Sequence, residues 1–233
     1  MDERLARDPT AIRAMFSRVA PRYDRLNRLL SLRQDVRWRR RLVGALAQAP
    51  SGPVLDLATG TGDVALGVAT RRVVGADFSL GMLALARRKA RGSARAAAWV
   101  LADALALPFT RSSFAAVTVA FGVRNFADLA AGFREIGRVL RPGGVLAVLE
   151  LHRPGRRAVA RVSALWSRLV VTPVGRVVSH DGDAYAYLPA SVDTFPDRAG
   201  MAGVLAAQRY EILESSDLSG GIAALTVARW EGE

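Results

Sequence analysis

Residues 54–68, VLDLATGTGDVALGV, carry an apolar run into a glycine turn bracketed by two carboxylates. Gly60, Gly62 and Ala65 have the spacing of the loose dinucleotide fingerprint, in which a strand ends in a tight turn and a helix N-terminus receives a diphosphate. The acids argue against a diphosphate. Asp56 lies four residues before Gly60 and Asp63 follows Gly62 directly, and a carboxylate beside a phosphate is repulsive. A ligand with positive charge suits this turn better. Two more acids follow apolar runs: Asp77 in VVGADFS, fifteen residues after Gly62, and Asp103 in VLADALALPF. The Asp77 carboxylate can accept both hydroxyls of a ribose. Asp103, with the Ala104 amide, can bind an adenine amino group and ring nitrogen. S-adenosylmethionine joins an ammonium, a sulfonium, a ribose diol and an adenine without phosphate, and the row of acids fits it.

The elements that must position this row alternate strand and helix, the signal of a parallel sheet. Strands are predicted at Val54–Leu57, Val73–Ala76, Ala98–Leu101, Ala115–Ala120 and Val145–Leu149, with helices at Val64–Ala69, Leu80–Ala90 and Asp128–Leu140. Ser79 is a good N-cap for the second helix and Gly92 a good terminator. Leu129, Phe133, Ile136 and Leu140 lie on one face of the third. In RPGG, Pro142 ends that helix, and Gly143 and Gly144 allow a turn. Met82, Leu83 and Leu85 read as helix packing. A final helix, Asp197–Gln208, and two strands, Tyr210–Ser215 and Ile222–Arg229, close the chain. The expected architecture is α/β and Rossmann-like, in a single domain spanning 1–233. Residues 1–50 form an N-terminal helical flap with a loop around RYDRLNRLLS and a basic helix from near Asp35. Residues 51–152 form the cofactor-binding core, 153–196 an inserted substrate cap, and 197–233 the C-terminal helix and strands.

The chain has 233 residues, 51% of them apolar, enough for one core. Without cysteine it has no disulfide, thiolate metal site or thiol nucleophile. The charged first residues are not a secretory signal, and the best apolar run, Val159–Val178, is broken by Arg161, Arg168 and Arg176, so a soluble, cytoplasmic protein is expected. The net charge of +12 comes almost wholly from arginine, Lys89 being the only lysine. The arginines are scattered rather than gathered in a tail with interleaved aromatics, which argues against nucleic acid as the partner. A peripheral approach to the inner face of an anionic membrane is the other reading of that charge. The two histidines, His152 and His180, are well separated and offer no metal centre. Asp181 and Asp183 read as a solvated turn.

Several segments together resemble the ubiquinone/menaquinone biosynthesis C-methyltransferases of the class I S-adenosylmethionine-dependent methyltransferases. They are MFSRVAPRYDRLNRLLS (15–31), DLATGTGD (56–63), DFSLGML (77–83), DALALPF (103–109), FGVRNF (121–126), RVLRPGGVLAVLE (138–150) and YAYLPASVDTFP (185–196). The resemblance implies a seven-stranded sheet with an antiparallel last strand and methyl transfer to a ring carbon of a polyprenylated quinol. Demethylmenaquinol is the first expectation; a ubiquinone-pathway benzoquinol or another phenol is the alternative. By position, it implies cofactor contacts at Thr59, Asp77, Asp103 and Ala104, with Asp56, Gly60 and Gly62 shaping the turn. Ala120 stands at a cofactor position that is often Ser. The chain also departs from the family with Asp35 where His usually precedes Trp38, with Leu26 for Met, and with His152 for Ser.

Methylating an aromatic carbon needs an electron-rich ring, which an ionising hydroxyl supplies, and alignment of that carbon with the methyl group. Arg124 and Asn125 are candidates to orient the quinol oxygen or stabilise its anion; a structural ion pair is the other reading of Arg124. His152 and Tyr185 are the candidate bases. Tyr23, Asn27, Phe121, Trp166 and Tyr187 are candidate walls of the substrate site. Glu150 is open between a place at the cofactor's methionine end and an arginine's partner. The apolar, arginine-dotted segment around Trp166 reads as a lid over the isoprenoid tail or as a packed cap helix. Monomer and homodimer both remain open.

Overall fold

The structure is a computed structural model and describes residues 24–25, 27–93, 97–155, 159, 161 and 191–232. Seven strands form one sheet: β1 (Val54–Leu57), β2 (Val73–Asp77), β3 (Ala97–Leu101), β4 (Phe114–Ala120), β5 (Leu140–Leu151), β6 (Tyr210–Leu218) and β7 (Ala223–Trp230). Their order is β3-β2-β1-β4-β5-β7-β6. Strands β1 to β5 are parallel, and β7 runs antiparallel between β5 and β6. The longer helices among the described residues are α1 (Gln34–Ala45), α2 (Leu80–Arg91), α3 (Leu129–Val139) and α4 (Arg198–Ala207).

The strands read as near-continuous apolar runs because both faces of the sheet are covered. On one face Leu55, Val117, Val119, Leu146 and Val148 meet Phe133 and Ile136 of α3 and Met201 and Leu205 of α4. Their alternates, Val54, Ala116, Val145 and Leu149, meet Trp38 and Leu42 of α1 on the other face. Side chains Ser79, Asp128 and Asp197 cap α2, α3 and α4 by accepting the N–H three residues on.

Three expectations need correction. The helix expected at Val64–Ala69 is a single 3₁₀ turn, Ala65–Gly67. The segment holds two valines and a glycine, all poor helix formers, and the Ala65 N–H donates to the Asp56 side chain. RPGG is not a turn between elements. Helix α3 stops at Val139 and the next residue already pairs, Leu140 with Phe114. Pairing then resumes at Ala116 with Val145, so Arg141–Gly144 bulge out opposite Ala115, with Gly143 at φ +76°. The expected loop around RYDRLNRLLS is helical over residues 24–25 and 27–30. That stretch ends in a Schellman turn, Arg33 N–H donating to Arg28 O and Leu32 N–H to Leu29 O.

Candidate functional site

Because β1 to β5 are parallel, their carboxyl ends share one edge, and the order reverses between β1 and β4, where α/β sheets place ligands. The backbone is strained at that point. Ala58, just after β1, has φ +53°, and Phe121, just after β4, has φ +59°. A Cβ on Gly122 would collide with that of Ala58, so only glycine lets the two strand ends approach so closely.

The glycine turn is built from its first acid. Asp56 is fully buried and accepts from Thr59 Oγ1 (2.5 Å), Thr118 Oγ1 (2.8 Å) and Ala65 N–H (3.1 Å). Thr59 also donates its N–H to Ala76 O and accepts from Gly62 N–H, so every polar group of Thr59 serves the turn. Gly62 (φ +83°) faces Trp99, 2.6 Å from where a Cβ would stand, whereas nothing lies within 4 Å of that point at Gly60 (φ +56°). Gly60 therefore presents bare backbone to open space. Beside it, buried Asp77 accepts from Gly60 N–H (2.8 Å) with one oxygen and from Ser79 N–H (2.9 Å) with the other. Burial raises the Asp77 carboxyl above its ordinary range against these bonds. Asp103, after β3, is exposed and accepts from Leu105 N–H (2.9 Å), while Ala104 is partly buried against the core.

Burial pushes the Asp56 carboxyl up to about 6 despite its three donors. A folded-state value above the unfolded one contributes stability that is present below about pH 4 and lost as pH rises through about 6. Asp56→Asn removes this dependence and fits the same donors: its oxygen can face Thr59 and Ala65, its amide Thr118 Oγ1. Urea unfolding from pH 4 to 7 is expected to show the asparagine variant gaining on the parent by ~3 kcal/mol across that window. A constant difference between the two proteins would refute this assignment.

Asp63, read from sequence as a second acid for a cationic ligand, is committed elsewhere. Its carboxylate meets Lys89 Nζ (2.5 Å), Arg39 (3.7 Å) and Arg28 (3.8 Å). Lys89 Nζ also donates to Asp24 (2.6 Å) and Thr61 Oγ1 (3.0 Å), and Thr61 donates to Asp24 (2.6 Å). The only lysine thus ties the helical residues around Asp24 and α2 to the glycine turn. Its one signal in the sequence is that it stands alone among 33 basic residues, which by itself assigns no role. One ammonium reaching three acceptors in three directions suits lysine, not a planar guanidinium. Lys89→Arg is therefore expected to weaken S-adenosylmethionine binding several-fold in calorimetry, nearly as much as Lys89→Met. Parent-like affinity in the arginine variant would show that charge alone suffices.

The β4–β5 side differs. Arg124 and Glu150 form a buried ion pair, their side chains 4% and 1% exposed. Arg124 Nη1 donates to Glu150 Oε1 (2.5 Å) and Phe121 O (2.8 Å), and the Arg124 N–H to Glu150 Oε2 (3.2 Å). This settles Glu150 as the arginine's partner. Asn125 ends the short 3₁₀ turn Val123–Asn125, its N–H on Gly122 O. Ala120 ends β4 opposite Leu149. Phe121 lies 6.2 Å from Trp38, with the Arg39 guanidinium 5.4 Å from its ring centroid. Asp35 is buried and accepts from Ser31 and Arg39. His152 follows β5, buried with its ring 5.7 Å from Phe195 in an edge-to-face contact. Burial holds its imidazole below the ordinary value, against the pull of Glu150, so it stays neutral near pH 7. Asn27 lies in the N-terminal helical stretch, half-buried, its carbonyl accepting from Ser31 N–H. Tyr23, Leu26, Trp166, His180, Asp181, Asp183, Tyr185 and Tyr187 lie outside the described residues.

The sheet order and the turn at its switch point define a class I S-adenosylmethionine-dependent methyltransferase fold. A methyltransferase of that type from Thermotoga maritima, 18% identical, superposes with a TM-score of 0.65 over 93% of this chain and 98% of its own. A sequence profile of the ubiE/COQ5 methyltransferase family matches residues 4–229, and the chain belongs to that family. The demethylmenaquinone methyltransferase of Thermus thermophilus is 48% identical over 91% of this chain and 98% of its own. The ubiquinone/menaquinone biosynthesis C-methyltransferase UbiE of Geobacter sulfurreducens is 42% identical over 95% and 89%. The protein is therefore an S-adenosylmethionine-dependent methyltransferase. The residues present fit that cofactor: the open backbone at Gly60 and the carboxylates of Asp77 and Asp103 stand at the ends of three neighbouring strands, β1, β2 and β3.

Proposed function

We propose that the protein methylates a ring carbon of demethylmenaquinol, a polyprenylated quinol. The observation that carries this reading is 48% identity to a demethylmenaquinone methyltransferase along nearly the full length of both chains. The relationship to UbiE keeps a ubiquinone-pathway quinol as the second substrate to test. Asp77 would hold the ribose, Asp103 and Ala104 the adenine, and Gly60 the methionine end. When bound, S-adenosylmethionine supplies an electrophilic methyl group. The chain's own contribution is to place the acceptor and take its proton. His152, neutral and beside β5, is the base candidate among the described residues. The Arg124–Glu150 pair fixes the backbone of Phe121–Asn125 that would wall the ring, so Arg124 would position this loop rather than bind the quinol oxygen directly. Most of the cap expected over 153–196 lies outside the described residues; the basic surface would meet the membrane that dissolves the isoprenoid tail. No helix of the described residues is long and apolar enough to cross a membrane.

The test is turnover of demethylmenaquinol in detergent with labelled S-adenosylmethionine. Label in menaquinol supports the reading; label only in a demethylated ubiquinol precursor transfers it to the other pathway, and none in either overturns it. His152→Ala is expected to lower kcat at least tenfold with KM for the methyl donor held, and to remove the acid limb of the pH–rate profile. An unchanged profile would exclude His152 as the base.

A further inference from the structure

Helix α1 and the turn before it separate their charges by side. The acids point inward: Asp24 accepts from Thr61 and Lys89, and Asp35 from Ser31 and Arg39. The outer face carries only base. Arg25, Arg33, Arg37 and Arg40 are exposed and have no carboxylate partner among the described residues, unlike Arg28, Arg39 and Arg41. Arg33, Arg37 and Arg40 follow helical spacing, opposite buried Asp35, Trp38 and Leu42.

Within this basic frame stand two leucines that the core does not use. Leu29 is 57% exposed and Leu32 is 68% exposed. Leu32 occupies the position of the Schellman turn that favours glycine, at φ +50°, and Arg33 follows at φ +62°. Such turns usually close with an apolar contact between the residues that Arg28 and Arg33 occupy here. A left-handed leucine is strained, and no buried contact offsets that strain. The sequence keeps an exposed leucine at a corner where glycine would be more stable.

We propose that Arg25 and residues 27–40 form a docking surface for an anionic phospholipid bilayer, with Leu29 and Leu32 entering the acyl boundary and Arg25, Arg33, Arg37 and Arg40 on the headgroups. Charge complementarity selects this occupant. Four like-charged guanidiniums repel a second copy of the same face, and a nucleic acid gains nothing from two exposed leucines. The partner deepens the membrane contact of the proposed function and rests on that reading for its purpose, but its test needs no turnover. The same segment is tied through Asp24 and Lys89 to the glycine turn, so the docked face lies next to the cofactor site.

The experiment is co-sedimentation of the full chain with phosphatidylcholine vesicles, with and without phosphatidylglycerol, over a salt series. Binding is expected only with the anionic lipid and to fall with salt. Arg33→Glu with Arg37→Glu should lower partitioning at least 25-fold, since each basic residue near such a surface is worth about fivefold. Leu32→Gly should lower partitioning several-fold while holding or raising the melting temperature, which separates docking from folding. Leu29→Ser with Leu32→Gly should leave turnover of a short-chain, water-soluble quinol unchanged. Parent-like partitioning in the arginine pair or in the leucine pair overturns the proposal. So does tighter, equally arginine-dependent binding to duplex DNA. Vesicle binding without quinol turnover would refute the proposed substrate and leave the docking surface standing.

Discussion

Arg124→Ala is expected to destabilise the protein by about 3–5 kcal/mol, because it leaves the Glu150 carboxylate buried and uncompensated. For a chain of this length that is a fall in melting temperature of about 6–20 °C. The loss has two further parts. Phe121 O gives up its guanidinium donor, and the left-handed Phe121 must then hold its φ of +59° without it. Replacing both partners, Arg124→Met with Glu150→Gln, removes the orphaned charge and is expected to recover more than half of the loss in urea unfolding. A double variant no more stable than Arg124→Ala would mean that the loop, not the charge, sets the cost. Activity has to be measured well below the lowered melting point. There, a kcat fall in the folded double variant would assign the pair a role in positioning the acceptor wall, and parent-like turnover would leave it purely structural.

How much of this was legible in sequence follows from how local each signal was. The order of strands and helices was readable because short apolar runs alternated with capped helices, and Ser79, Asp128 and Asp197 cap as their types predict. The acids at the ends of β1, β2 and β3 were readable for the same reason. What sequence could not show was which acids were already taken. Asp56, Asp63 and Asp77 look alike in one dimension; in the fold, one is enclosed by two threonines and an amide, one by three cations, and one holds two backbone amides beside open space. For two of them a partner comes from far along the chain, Lys89 reaching Asp63 across 26 residues and Thr118 reaching Asp56 across 62. The glycine-turn helix failed for a local reason. Val64, Gly67 and Val68 are poor helix formers, and only the turn Ala65–Gly67 forms. The Arg124–Glu150 pair was visible only as two alternatives, because its 26-residue span is closed by β4 and β5 lying side by side.

Asp77→Ala is expected to be the most damaging change to cofactor binding, weakening S-adenosylmethionine at least a hundredfold in calorimetry. Two losses compound. The variant removes the carboxylate proposed to take the ribose hydroxyls, and hydrogen bonds to a charged acceptor are worth about 1.5–3 kcal/mol each. It also releases the Gly60 and Ser79 N–H groups, one in the turn and one at the start of α2, so the turn that would receive the methionine end loses its anchor. Asp77→Asn divides the two effects. Its single carbonyl can serve one of the N–H donors while its amide faces the other, so the turn is loosened at one point only. The asparagine protein is therefore expected to unfold close to the parent and to bind S-adenosylmethionine with an affinity between those of parent and alanine. Equal, near-complete loss in both variants would put nearly all the binding in the charge on the ribose. Near-parent binding in asparagine with loss in alanine would put it in the shape of the turn. Binding unchanged in both would remove Asp77 from the site, and the reading of the acid row as a ribose and adenine cradle would fall with it.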